Sequence, residues 1–181
     1  MRPVLAVFAV LFSALPLTLA ADATAPHVRN FGEVNDHLYR GGEPSLVGLE
    51  ELAAQGVKLV IDLRENGKAT DFEKIQVKKL GMKYVNLPLR PFSAPTQGQM
   101  EQALSLLLQS NSQTVFVHCR RGKDRTGTVI ACYRIEHDRW TNSKALEEAK
   151  EYGMSSIERA MRSYVAHFSP LPIPELVKIG K

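Results

Sequence analysis

A chain of 181 residues, 44% hydrophobic and 23% charged, has the composition of a globular protein and the length of a single domain. A core of this size needs neither metal nor disulfide staples. The net charge of +4, with no aromatic-interleaved basic stripe, argues against a nucleic-acid-binding protein.

The first twenty residues, MRPVLAVFAVLFSALPLTLA, have the layout of an export signal. Arg2 supplies the positive end, Val4 to Leu15 the apolar run, and Thr18-Leu19-Ala20 a cleavage point. The run is short for a spanning helix and Pro16 interrupts it. Cleavage and export to the periplasm or the outside are therefore expected over an uncleaved anchor, with no stable membrane insertion afterwards. Residues 21–30 read as a linker, 31–168 as the functional domain, and 169–181 as a proline-containing tail.

Within the domain, FGEVNDHLYRGGEPS (31–45) holds strand-like pieces and a Gly41-Gly42 turn. SLVGLEELAAQG (45–56) has helical spacing, with Ser45 as cap and Gly56 as stop. VKLVIDLR (57–64) is a buried strand, DFEKIQVKKLG (71–81) a helix, and MKYVNLPL (82–89) a strand. A proline-rich loop, 90–96, leads to a helix capped by Thr96, and TVFVHC (114–119) is the third apolar strand. Helices over 125–140, 143–153 and 155–168 complete the set. Alternating strands and helices predict an α/β fold, a mainly parallel central sheet flanked by helices on both faces. Its active site is expected beyond the carboxyl ends of the strands, where VIDLR, VNLPL and VFVHC finish.

The last of those strands runs into HCRRGKDRTG, 118–127. A phosphate dianion wants convergent backbone N–H groups, a helix N-terminus and a bidentate cation. Gly122 lets the chain curl, a helix begins near Arg125, and the planar fork of Arg125 can grip two oxygens. The same field strips the proton from Cys119 and makes it a nucleophile near neutral pH. Thr126 can donate to the sulfur, and His118 can hold the loop backbone. Cys132 lies well along the following helix, too far from Cys119 for a disulfide, and reads as a small core residue. The five histidines show no paired ligand spacing, so no metal is expected.

HCRRGKDRTG resembles the His-Cys-x5-Arg-Ser/Thr signature of the cysteine-based protein tyrosine and dual-specificity phosphatases. The wider pattern, LYRGGEPS through VIDLR to YVNLPL, is similar to their bacterial dual-specificity-like branch. The resemblance implies a protein-tyrosine-phosphatase-like fold and a metal-free, cofactor-free phosphomonoester hydrolase. Cys119 would form a phosphocysteine, Arg125 would bind the phosphoryl oxygens, and water would release phosphate. The substrate-binding set on this reading is His118, Arg120, Arg121, Gly122, Lys123 and Thr126, with Asp62 and Arg64 from the rim. Two other readings stand beside it: a phosphate-binding protein without turnover, and a rhodanese-like sulfurtransferase, which also carries a cysteine on a cationic loop.

Phosphoester cleavage also needs a proton for the leaving oxygen. The family usually supplies it from an aspartate some thirty residues before the cysteine, yet 86–100 contains no Asp and no Glu. Three sources stay open: Asp124 within the signature loop, Asp62 or Glu65 from VIDLRENG, or no dedicated acid. Arg120, Arg121 and Lys123 beside the phosphate grip suit a substrate with several phosphates, such as an inositol phosphate. A phosphotyrosine protein is the alternative.

Overall fold

The computed structural model describes residues 24–25, 27–109 and 113–170. The expected export signal, most of the linker and most of the tail lie outside the described residues. The elements run β1 (Gly32–Asn35), β2 (Leu38–Gly41), α1 (Leu46–Ala54), β3 (Val57–Asp62), α2 (Lys68–Lys79), β4 (Lys83–Asn86), α3 (Gln97–Leu108), β5 (Thr114–His118), α4 (Asp124–Glu136), α5 (Asn142–Glu151) and α6 (Arg159–Ala166). The sheet order is β1-β2-β5-β3-β4, antiparallel only between β1 and β2. β5 is thus central, with β2 and β3 parallel on either side of it.

Strand alternation divides the core. Phe116 and Val60 face one way, into a cluster with Leu49 and Leu52 of α1 and Val77 of α2. Val115, Val117, Leu59 and Ile61 face the other way, against Met100 and Leu104 of α3 and Val129 and Ile130 of α4. With an apolar layer on each face, the strands read as near-continuous hydrophobic runs, as a doubly covered parallel sheet requires. Both cysteines are free, and Cys132 is a fully buried core residue.

Several helix boundaries differ from the sequence reading; α4, expected to reach residue 140, stops at Glu136, and two helix starts also move. α2 begins at Lys68 rather than Asp71, because the Thr70 hydroxyl and the Gly67 backbone cap each other one turn earlier. α6 begins only at Arg159. Residues 155–158, whose apolar spacing continues that of the helix, instead form an irregular segment turned toward the carboxyl edge of the sheet. Ser155 N–H is spent there on the Asp124 carboxylate, at 2.8 Å.

Candidate active site

β2, β5 and β3 end in register, with Gly41 and Asp62 both paired to His118. The chain leaves β5 at Cys119 and curls through Gly122, φ +71°, into α4. A Cβ on Gly122 would lie 2.4 Å from Gly41 C and 2.5 Å from Gly42 N, so only glycine fits against the β2 end.

The loop carbonyls are held outward. Gly122 O accepts from Arg40 Nη2 at 3.0 Å and Asn30 Nδ2 at 2.9 Å. Arg120 O accepts from Glu43 N–H at 3.3 Å. With the carbonyls tied back, N–H groups of Arg121 and Thr126 face the Cys119 sulfur. The cap residue of α4, Lys123, makes no side-chain hydrogen bond to the helix start, so that positive end is left for an anion.

Cys119 is 2% exposed. Burial pushes its thiol up, but hydrogen bonds from the Thr126 hydroxyl and N–H, the Arg125 charge and the Arg121 N–H together bring it below the usual thiol range. Arg125 is steadied by carbonyls at the ends of two strand segments, its Nη1 lying 3.3 Å from Leu63 O and 3.4 Å from Leu89 O. A cavity of about 210 Å³ above the sulfur is lined by Pro91, Phe92, Cys119, Arg120, Arg121, Asp124, Arg125 and Glu158.

Of the expected site residues, then, Cys119, Arg120, Arg121, Asp124 and Arg125 share one cavity. The others take different places. Lys123 is exposed, and its side chain lies along Gly153 instead of lining the cavity. Thr126 is fully buried, bonded toward the sulfur and Gly41 O, so it serves the nucleophile and not the substrate. Gly122 shapes the loop by its backbone.

Asp62, Arg64 and His118 are a larger correction. They were expected to meet substrate, but all three are buried below the rim. Arg64 bridges Asp62 and Glu73, with Nη2 2.6 Å from each, and also pairs with Glu43. His118 Nε2 lies 2.8 Å from Glu73 Oε1, and its Nδ1 is 3.4 Å from Cys119 O. Burial opposes charge on His118, but Glu73 and then Asp62 outweigh it and raise its proton affinity. Asp62 is 0% exposed and takes further hydrogen bonds from Arg64 N–H and the Tyr84 hydroxyl. A carboxylate so enclosed does not reach a leaving group, which removes Asp62 from the acid candidates. Glu65 lines a different cavity, with Arg90 and Gln99. Asp62, Glu73 and His118 bring potential ligand atoms within 4.8 Å of one another, but Arg64 already neutralises the two carboxylates.

Sequence reasoning missed Glu73, Asn30 and Glu158. Glu73 looks like one more charge on a solvated helix face. Nothing local to Glu158 points to the loop 34 residues earlier.

Residues 21–167 match the profile of the family described as DSP-PTPase phosphatase fused to NAD+ kinase. The chain belongs to the DSP-PTPase phosphatase family. It is a phosphatase of the cysteine-based tyrosine and dual-specificity class, and the sulfurtransferase reading falls away. OCA1 of Mycosarcoma maydis, a candidate tyrosine-protein phosphatase, is 33% identical over 129 residues, 68% of this chain and 79% of that one. Inositol diphosphatase DSP2 of Oryza sativa subsp. japonica is 27% identical over 168 residues, 87% of this chain and 78% of that one. Among solved structures, TpbA of P. aeruginosa superposes with a TM-score of 0.69 at 23% identity, covering 81% of this chain and 89% of that one. The catalytic domain of the PP-IP phosphatase SIW14 of S. cerevisiae gives 0.67 at 20% identity, with the same coverage. These likenesses agree with the protein-tyrosine-phosphatase-like fold of this phosphatase.

Proposed function

We propose that this phosphatase removes one phosphoryl group from a small, multiply phosphorylated substrate, an inositol pyrophosphate or inositol polyphosphate, through a phosphocysteine on Cys119. The observation that carries the reading is the concentration of Arg120, Arg121 and Arg125 on one cavity of about 210 Å³. That volume falls below the usual range for an enclosed organic ligand, roughly 300–1,000 Å³, but admits a phosphoryl group. The rest of the substrate stays outside, where extra arginines reward extra phosphates. The diphosphatase DSP2 and the PP-IP phosphatase SIW14 support the same substrate class by their names.

In the proposed reaction the Cys119 thiolate attacks phosphorus as the bond to the leaving oxygen breaks. Arg125 and the inward N–H groups hold the equatorial oxygens, and water then cleaves the phosphocysteine. No step calls for a metal or cofactor.

A phosphotyrosine protein is favoured by one feature, Phe92. It is 64% exposed at the cavity wall, where its ring can pack on an aromatic leaving group. TpbA has been solved in complex with pTyr. The test is phosphate release, with chelator present, from an inositol pyrophosphate, inositol hexakisphosphate and a phosphotyrosine peptide. The proposal expects kcat/KM at least tenfold higher on an inositol substrate and no turnover by C119S. Preference for the peptide reverses the substrate assignment, and turnover by C119S overturns the cysteine route. Export remains part of the proposal, on the strength of Arg2, the apolar run and Thr18-Leu19-Ala20. The mass of the protein recovered outside the cytoplasm checks it, with cleavage expected after Ala20.

A further inference from the structure

The proton left unassigned by residues 86–100 has a source in an unexpected segment. Glu158 lies between α5 and α6, 34 residues beyond Asp124, and lines the same cavity as Cys119, Arg125 and Asp124. It is 5% exposed. Its carboxylate accepts the Phe92 N–H, while its Oε2 is buried and finds no hydrogen-bond partner among the described residues. A buried carboxylate oxygen without a donor is costly when charged and cheap when protonated. Glu158 itself forms part of the wall of the cavity around a nucleophilic sulfur.

We propose that Glu158 is the general acid of this phosphatase, giving its proton to the leaving oxygen as the bond to phosphorus breaks. The inference rests on the phosphocysteine reading above. The balance is simple. The Cys119 sulfur forms the S–P bond, the leaving oxygen departs with the bonding pair and takes the Glu158 proton, and the Glu158 carboxylate remains. A water molecule then attacks phosphorus and returns a proton to Glu158, and the thiolate leaves with the S–P electrons.

Asp124, the acid candidate from the sequence, becomes the partner in this arrangement. Its Oδ1 is committed to Ser155 N–H at 2.8 Å, and it sits in the first turn of α4, where the helix favours negative charge. Burial first, and the Asp124 charge second, raise the proton affinity of Glu158, against smaller opposing effects of the Phe92 N–H and Arg125. Two carboxylates thus share one cavity, and the Asp124 charge adds to burial in favouring the protonated form of Glu158. The Phe92 N–H also ties Glu158 to the loop over the cavity. Phe92 has φ +59°, so this contact belongs to a specific loop conformation.

The test separates proton donation from loop bracing by leaving group. A p-nitrophenyl ester departs without help, whereas an alkyl phosphate needs the proton. E158Q keeps an oxygen for the Phe92 N–H but has no proton to give. The expected result is a loss of about 10²–10³ in kcat on an alkyl phosphate, against no more than about fivefold on p-nitrophenyl phosphate. The basic limb of the alkyl-ester pH profile should disappear with it. Equal losses on both esters, no loss on either, or the same leaving-group pattern in D124N instead of E158Q, overturns the assignment. If E158Q does not fold, judged by melting and vanadate binding, the wild-type and D124N profiles decide. A basic limb confined to the alkyl ester and retained in D124N supports Glu158, and the same limb on both esters, or its loss in D124N, refutes it. Absence of wild-type turnover on every ester would overturn the phosphatase reading beneath the inference.

Discussion

Replacing Gly122 with alanine tests the loop architecture most directly. The new Cβ would lie 2.4 Å from Gly41 C, 2.5 Å from Gly42 N and 2.7 Å from Gly41 O, all backbone atoms with no rotamer to change. A positive φ costs a non-glycine residue about 1–2 kcal/mol. Overpacking adds roughly 1–3 kcal/mol more. The sum, about 2–5 kcal/mol, corresponds to a fall in Tm of roughly 4–20 °C for a chain this long. Relief by moving the loop would shift the N–H groups around Cys119, and a misplacement of about 1 Å costs around 10²-fold in rate. Gly56 supplies the control. Its φ is +86°, but a Cβ there meets nothing within 4 Å. G56A should lose only the conformational part, about 1–2 kcal/mol, with turnover retained. Thermal melting and kcat on p-nitrophenyl phosphate, measured on both variants, decide the matter. Wild-type melting and turnover in G122A would refute the contact argument, and an equal loss of activity in G56A would refute its locality.

Three further outcomes are expected. T126V removes a hydroxyl donor from the Cys119 sulfur, so the acid limb of kcat/KM and the pH profile of iodoacetamide labelling should both move up by about 1–2 pH units. R64M strips the cation shared by Asp62 and Glu73 and should destabilise by about 3–5 kcal/mol in urea unfolding. The raised proton affinity of folded His118 means its contribution is complete below the ordinary histidine pKa of 6.5 and is lost as pH rises through the folded value. Urea stability should therefore fall as pH climbs from about 6.5, and H118Q should flatten that slope.

The nucleophile and its arginine were legible because their geometry is local. Five residues of loop and the first turn of one helix carry the cysteine, the turn glycine and the guanidinium. The fold was legible for a related reason: β3 and β5 are apolar runs bounded by turn signals, and each packs on both faces. The depth of a charged residue was not legible. Asp62 ends a strand at the rim, as expected, yet its carboxylate drops inward because Arg64, Tyr84 and Glu73 supply a polar interior there. Glu158 was hidden by its own neighbourhood, since SSIERAM has helical spacing, while the bonds from Ser155 N–H to Asp124 and from Phe92 N–H to Glu158 join segments distant in sequence.

The two side-chain bonds to Gly122 O come from residues 92 and 82 positions earlier in the chain, and Asn30 also donates to Tyr152 O, 122 positions after it. The stretch from Asn30 to Tyr152 must be in place before the loop closes around its thiol. During refolding, helix content and core fluorescence should recover before turnover does, and a partly folded molecule should carry a cysteine of ordinary acidity. The phosphatase would then be silent, and its thiol sluggish toward disulfide exchange, until Asn30 and Arg40 have met Gly122 and Tyr152.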